Sequence, residues 1–137
     1  NKVYDALTTA TMTSFGSLVG VINADLANVA LDSSAATANF ADKNVGTGKT
    51  VTLAASSLGL TGSMATNYQI VANPTTTADI TKKDVTLDSL TADSKTYDSA
   101  TTANISAGAI SGTVVSEALL ISGAGNFSDA NPAMEKR

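Results

Sequence analysis

Apolar and polar residues alternate with a period of two at several places along the chain. These are Ala10-Thr11-Met12-Thr13, Val51-Thr52-Leu53, Tyr68-Gln69-Ile70, Val85-Thr86-Leu87 and Ala103-Asn104-Ile105. Successive side chains of a strand point to opposite faces of its sheet, so each stretch predicts a strand with one buried face. Turn residues separate them at Gly46 and Gly48, Gly59 and Gly62, Asn73-Pro74, Gly108, Gly112, and Gly123 and Gly125. Short strands with frequent turns predict an all-β module. Residues 23–30 and 33–40 are dense in Ala, but caps and a sustained 3.6-residue period are weak there, so the pattern allows one short helix or helical turn. Residues 78–90 contain no Gly or Pro and read as the last strand of one module passing into the first strand of the next. So short a junction leaves little hinge freedom, and successive modules are expected to form a stiff rod.

The chain repeats itself. Residues 1–13, NKVYDALTTATMT, return at 94–106 as SKTYDSATTANIS, with Lys2, Tyr4, Asp5, Thr8, Thr9 and Ala10 matched by Lys95, Tyr97, Asp98, Thr101, Thr102 and Ala103. Residues 38–50, ANFADKNVGTGKT, return at 125–137 as GNFSDANPAMEKR, with Phe40, Asp42, Asn44 and Lys49 matched by Phe127, Asp129, Asn131 and Lys136. The offset drops from 93 to 87 residues between the two blocks, as loop shortening would produce. Self-similarity at this period marks an array of modules. The expected division is one repeat over residues 1–83, lacking its first strand, and the N-terminal part of a second over 84–137. The second part holds no counterpart of residues 51–81, so its strands are expected to have open edges and a tendency to pair with another chain.

Composition narrows the function. Hydrophobic residues make up 43% of the 137 and aromatic residues only 4%, so the core is built from Ala, Val, Leu and Ile. Thr, about one residue in seven, favours the half-buried surface of a sheet. Charged residues are 15% and the net charge is -4, which makes nucleic acid a poor partner. With no cysteine there is neither a disulfide framework nor a thiolate metal site. No apolar run approaches the roughly 18 residues that span a bilayer, so no membrane insertion is expected. The first residues lack signal-peptide form, so an export signal is expected elsewhere.

Candidate chemistry is sparse. GTGKT at residues 46–50 resembles the end of a phosphate-binding loop, but Lys43 stands where that motif needs its first Gly and a strand-like V-T-L follows. Asp42-Lys43-Asn44 with Gly46 lacks the remaining ligands of a calcium loop and reads as a polar turn. Asp84, Asp88 and Asp93 at the module junction are a weak calcium candidate, and the other acids are scattered. Without His or Cys, and with no Ser in a G-x-S-x-G elbow, no catalytic, cofactor-binding or metal-binding residue is assigned. Tyr4, Tyr97 and Tyr68 are expected to pack their rings in the core and bond through their hydroxyls, with exposed sugar-stacking platforms as the alternative. The Thr spacing is too irregular for a flat ice-binding face.

Four blocks resemble one family in order: K-x-Y-D-x-x-T-T-A, F-A-D-K-N-V-G-T-G-K-x-V, Asn67-Tyr68, and T-A-D-I-T at residues 77–81. Together they are similar to the YDG-type repeats, also called MBG-like repeats, of long bacterial adhesins and haemagglutinin-like exoproteins. The family's Gly after Tyr-Asp is replaced by Ala6 and Ser99, which argues against a turn with positive φ there. The resemblance implies a secreted or surface-anchored bacterial array, no catalysis, and repeats that form a stalk for an adhesive region. Its expected partners are neighbouring repeats of the same polypeptide, with host or bacterial surface glycans as ligands if the repeat itself is adhesive. The expected fold is a tandem array of extracellular modules of about 90 residues, immunoglobulin-like β-sandwiches first and β-grasp-like modules as the alternative.

Overall fold

The computed structural model describes residues 1–114, 117–119, 121 and 123–132. The chain forms two compact units, Asn1–Lys82 and Lys83–Arg137. The first contains seven strands: β1 (Lys2–Val3), β2 (Thr9–Ala10), β3 (Ala30–Asp32), β4 (Ala38–Phe40), β5 (Gly46–Leu53), β6 (Gly59–Thr61) and β7 (Thr75–Thr81). Five of them make one mixed sheet in the order β1-β7-β5-β4-β2, while β3 and β6 form a separate antiparallel ribbon. The β1–β7 pair is parallel, with Lys2 beside Ile80 and Val3 beside Thr81; the other pairs of this sheet are antiparallel.

The core follows from the alternation on β4 and β5. Ala38 sits opposite Leu53 and Phe40 opposite Val51, so four apolar side chains meet on one face as directly paired neighbours. Ile80 of β7 completes this cluster; Tyr4, Met12, Phe15 and Leu58 pack over it partly buried. Thr52 and Asn39, between the apolar positions, face the other way.

Several turn and strand expectations are corrected. Gly46 and Gly48 lie inside β5, where the register with β7 slips between Gly46 and Lys49. Gly48 takes φ +59, and its N–H donates to the Asp79 carboxylate at 2.8 Å, so these glycines make a bulge rather than a turn. Gly62 does mark a turn: φ is +113, and a Cβ there would collide with the Asn28 carbonyl. Residues 68–70 form no strand, because they leave a 3-10 turn at Ala65–Asn67 and the Tyr68 hydroxyl is anchored elsewhere. The Ala-rich stretches contribute a single 3-10 turn, Asn23–Asp25, the first residue of β3 and the strand β4. The described residues hold no α-helix, so the helix that a β-grasp-like module packs on its sheet is not among them.

The second unit contains β8 (Thr86–Leu87), β9 (Leu90–Ala92), β10 (Thr102–Ala103), β11 (Ile105–Ala107), β12 (Ile110–Ser111) and β13 (Gly125–Asn126). β8 pairs with β12 and β9 with β11 in one unbroken register, Leu87 opposite Ile110 and Leu90 opposite Ala107. Backbone bonds from Asp88 N–H to Ala109 O and from Gly108 N–H to Ser89 O carry the ladder across the gap. β10 and β13 form a separate antiparallel pair. This unit buries no described residue, whereas the first buries Val29, Ala38, Phe40, Val51, Leu53 and Ile80.

The two units also show why the expected strand over residues 10–13 ends at Ala10. Ile105, the counterpart of Met12, lies in a strand because Ala92 pairs with it. Met12 has the same alternation, but no strand of the first unit pairs with residues 11–13. Alternation permits a strand; a partner makes one.

Ile80 is 1% exposed at the centre of this core, so Ile80→Ala should cost about 2–5 kcal/mol of stability. The exposed Leu90→Ala should stay within about 0.5 kcal/mol. The check is the urea midpoint followed at the Val51 and Phe40 amides, and equal costs would contradict this core.

Candidate functional site

Lys2 sits on edge strand β1, and its ammonium has four neighbours. It donates to the carbonyls of Leu7 and Thr9 at 2.9 and 3.0 Å, lies 2.6 Å from Asp5 Oδ1, and stands 5.8 Å from the centre of the Phe40 ring. Two carbonyls and a carboxylate match the three donors of an ammonium, and the ring faces a cation. Asp5 Oδ1 also accepts the N–H of Leu7 at 3.0 Å, closing the turn from within. Thr9 belongs to β2, the other edge of the sheet, so one side chain ties the two edges together. A flat five-stranded sheet would hold those edges about 19 Å apart. The Lys2 clasp therefore requires the sheet to curl.

The clasp overturns one expectation. Ala6 and Ser99 both take φ +64, the left-handed conformation against which the missing Gly argues. For a side-chain-bearing residue this costs of order 1–2 kcal/mol. The bonds of Asp5 and Lys2 on either side hold the turn in that form.

The second unit builds the carboxylate and aromatic part of this arrangement, without the two carbonyl bonds. Lys95 Nζ lies 2.7 Å from Asp98 Oδ1 and 5.9 Å from the Phe127 ring centre, and Asp98 Oδ1 accepts the N–H of Ala100 at 3.0 Å. Phe127 N–H donates to Thr101 O at 2.6 Å, as Phe40 N–H does to Thr8 O at 2.7 Å. Thr102 pairs with Asn126 and Ala103 with Gly125, matching Thr9 with Asn39 and Ala10 with Ala38. Asn131 N–H donates to Asp129 as Asn44 N–H does to Asp42, both at 2.8 Å.

Exposure separates the two copies. Phe40 is 4% exposed and Phe127 37%. Tyr4 packs against the first core as expected, but Tyr97 is 59% exposed, against expectation. In the first unit β5 and β7 bring Val51 and Ile80 to this face, and no described strand of the second unit does so.

The motif residues have structural partners. In GTGKT, the Gly48 N–H is taken by Asp79 and the Lys49 ammonium by Asp42 at 2.6 Å, so the groups that would hold phosphate already hold carboxylates. Tyr68 donates to Asp25 Oδ2 at 2.7 Å and accepts the Ile22 N–H at 3.3 Å; the Asp25 carboxylate holds the phenol above its ordinary pKa. Asp88 accepts a hydrogen bond from Ser111, and no group of three or more acids or other metal-ligating residues gathers among the described residues.

Surface depressions lie beside these groups. A groove of about 450 Å³ opens beside the clasp, lined by Thr9, Thr11, Thr13, Thr76 and Thr77, with Phe40 and Val51 among the lining residues. One of about 290 Å³ lies at the second clasp, between Lys95, Tyr97, Phe127 and Asp129. A third, about 360 Å³, is lined by Leu58, Leu60, Tyr68 and Ile70. In the first two, the lysine at the wall is already paired with the carboxylate of its own clasp.

A curled β-sheet closed by a lysine clasp, with its charged groups bonded to one another and to backbone groups, has the build of a structural module. The chain belongs to the YDG domain family, which matches residues 1–78. This family gives the chain its adhesin association. No curated protein and no solved structure matches it. Among the described residues no helix is long and apolar enough to cross a membrane.

Two outcomes test the clasp. Ala6→Gly removes the strain at positive φ and should stabilise the protein by about 0.5–1 kcal/mol, net of the extra freedom Gly gives the unfolded chain; thermal melting reads it. Hydrogen bonds from Lys2, Lys49 and Lys95 are the leading causes that hold Asp5, Asp42 and Asp98 below the usual 3.8. Their stabilisation is therefore complete above that value and lost as pH falls through the lowered folded-state values. The melting temperature should be flat from about pH 7 to 5 and fall below 3.8, and the deficit of Asp5→Asn relative to the parent should shrink over the same fall.

Proposed function

We propose that this chain is part of the stalk of a secreted or cell-surface bacterial adhesin, in which tandem immunoglobulin-like modules space and project an adhesive region. The observation that carries the proposal is the clasp built twice in one chain, Lys2-Asp5-Phe40 and Lys95-Asp98-Phe127. A binding residue repeated for its ligand would face solvent in each copy. Here the repeated lysine and aspartate are spent on each other in both units, and in the first unit Lys2 also holds two backbone carbonyls, as a scaffold requires.

On this proposal residues 1–83 are one module and residues 84–137 the first part of the next. The partners are neighbouring modules of the same polypeptide, and the open strands of the second part favour self-association. The region is extracellular, catalyses nothing and needs no cofactor.

A second function, in which the module itself binds carbohydrate or protein, is favoured by the exposed rings of Tyr97 and Phe127 at the second groove and by the make-up of the first. The groove beside the first clasp is edged with Thr hydroxyls and includes an aromatic residue, Phe40. Against it, that ring is 4% exposed and offers no stacking face.

The expected outcome with immobilised glycans and whole bacterial cells is no saturable binding of the chain. Saturable binding that is lost in Thr76→Ala/Thr77→Ala would replace the stalk proposal with the adhesive one.

A further inference from the structure

The motif Asn-x-Ser/Thr, with any residue but Pro in the middle, marks asparagines that enzymes link to sugars. It occurs twice, at Asn104-Ile105-Ser106 and Asn126-Phe127-Ser128, both in the second unit; in the first, Asn73-Pro74-Thr75 is ruled out by its Pro. The ribbon of β9 and β11 sorts its residues by face. Ile105 lies opposite Ala92, and Leu90, two residues earlier, shares their side. Ser106 lies opposite Thr91, and the Asp93 N–H donates to Asn104 O at 2.9 Å, which places Asn104 beside Asp93 on the other side. One side is apolar and the other polar, so whatever covers the apolar side leaves Asn104 and Ser106 outward. The first unit agrees: Met12, the counterpart of Ile105, packs against the core there, and Thr11 and Thr13, the counterparts of Asn104 and Ser106, are exposed. Asn104 and Ser106 are exposed too, and neither side chain is bonded to another described residue.

We propose that Asn104 is an acceptor site for N-linked glycosylation, with a nucleoside diphosphate hexose as the sugar donor. Asn104 Nδ2 forms a bond to the anomeric carbon of the hexose as the bond from that carbon to the diphosphate oxygen breaks. The diphosphate leaves with the electron pair, and one amide proton is released. Ser106, two residues on and so on the same side, presents the hydroxyl that completes the motif. Asn104 lies at the break between β10 and β11, where the chain leaves β13 and joins β9. Asn126 is the poorer acceptor: it lies within β13, and the Phe127 beside it is held by its N–H to Thr101 and by its ring against Lys95. The proposal goes beyond the stalk reading and does not depend on it.

The test incubates the folded full chain with a soluble asparagine-linking hexosyltransferase and uridine diphosphate glucose. The intact mass is expected to rise by one hexose, and fragmentation of the tryptic peptide that begins after Lys95 should locate it on Asn104. Transfer should be lost in Asn104→Gln and Ser106→Ala and retained in Ser106→Thr. The melting temperatures of all three should match the parent, so that loss reports the acceptor and not the fold. No transfer, transfer at Asn126 in place of Asn104, undiminished transfer to Ser106→Ala, or transfer only after the chain has been heat-unfolded would each overturn the proposal. The glycan and cell assays judge the stalk proposal separately, so either can fail without the other.

Discussion

A single ammonium sets the shape of the first unit. Lys2 reaches from one edge of a five-stranded sheet to a carbonyl on the other while resting against Phe40, and the curvature of the sheet follows from that reach. The curl turns the paired apolar face of β4 and β5 inward, with Ile80 from β7 joining it. It also forces a tight turn between the edges, which explains why Ala6 stands at positive φ. With few large aromatic side chains available, the polar clasp contributes closure that hydrophobic bulk provides in other small domains.

The second unit separates what the clasp does from what the core does. Lys95, Asp98, Ser99 and Phe127 adopt the same local geometry although the unit has no described buried residue. The Lys–Asp half of the clasp is thus local, formed three residues apart, while the ring is brought to it by one short antiparallel pair. Burial of the aromatic ring is the long-range part, and it arrives only with β5 and β7.

Much of the core was legible in the sequence. Val51-Thr52-Leu53 carries its strand in its alternation, and the internal repeat singled out Lys2, Asp5 and Phe40 by their identity with Lys95, Asp98 and Phe127. What the repeat could not reveal was that these residues touch one another, because their contact spans 38 residues between Lys2 and Phe40. The positive φ of Ala6 was hidden for a different reason: side-chain type reports the intrinsic cost of a conformation, and here the neighbouring bonds outweigh it. Gly46 and Gly48 read as a turn because a bulge and a turn draw on the same residue types. Met12 and Ile105 show that even a correct pattern waits on a partner strand.

The parallel pairing of β1 with β7 has a mechanical meaning. These strands run side by side in the same direction, joined by the bond from Tyr4 N–H to Thr81 O and by Asn1 to Asp79. Tension drawing the chain out at both ends of the first unit would pull β1 backward and β7 forward along one line. The rungs between them would then be loaded together in shear, instead of being peeled apart one after another.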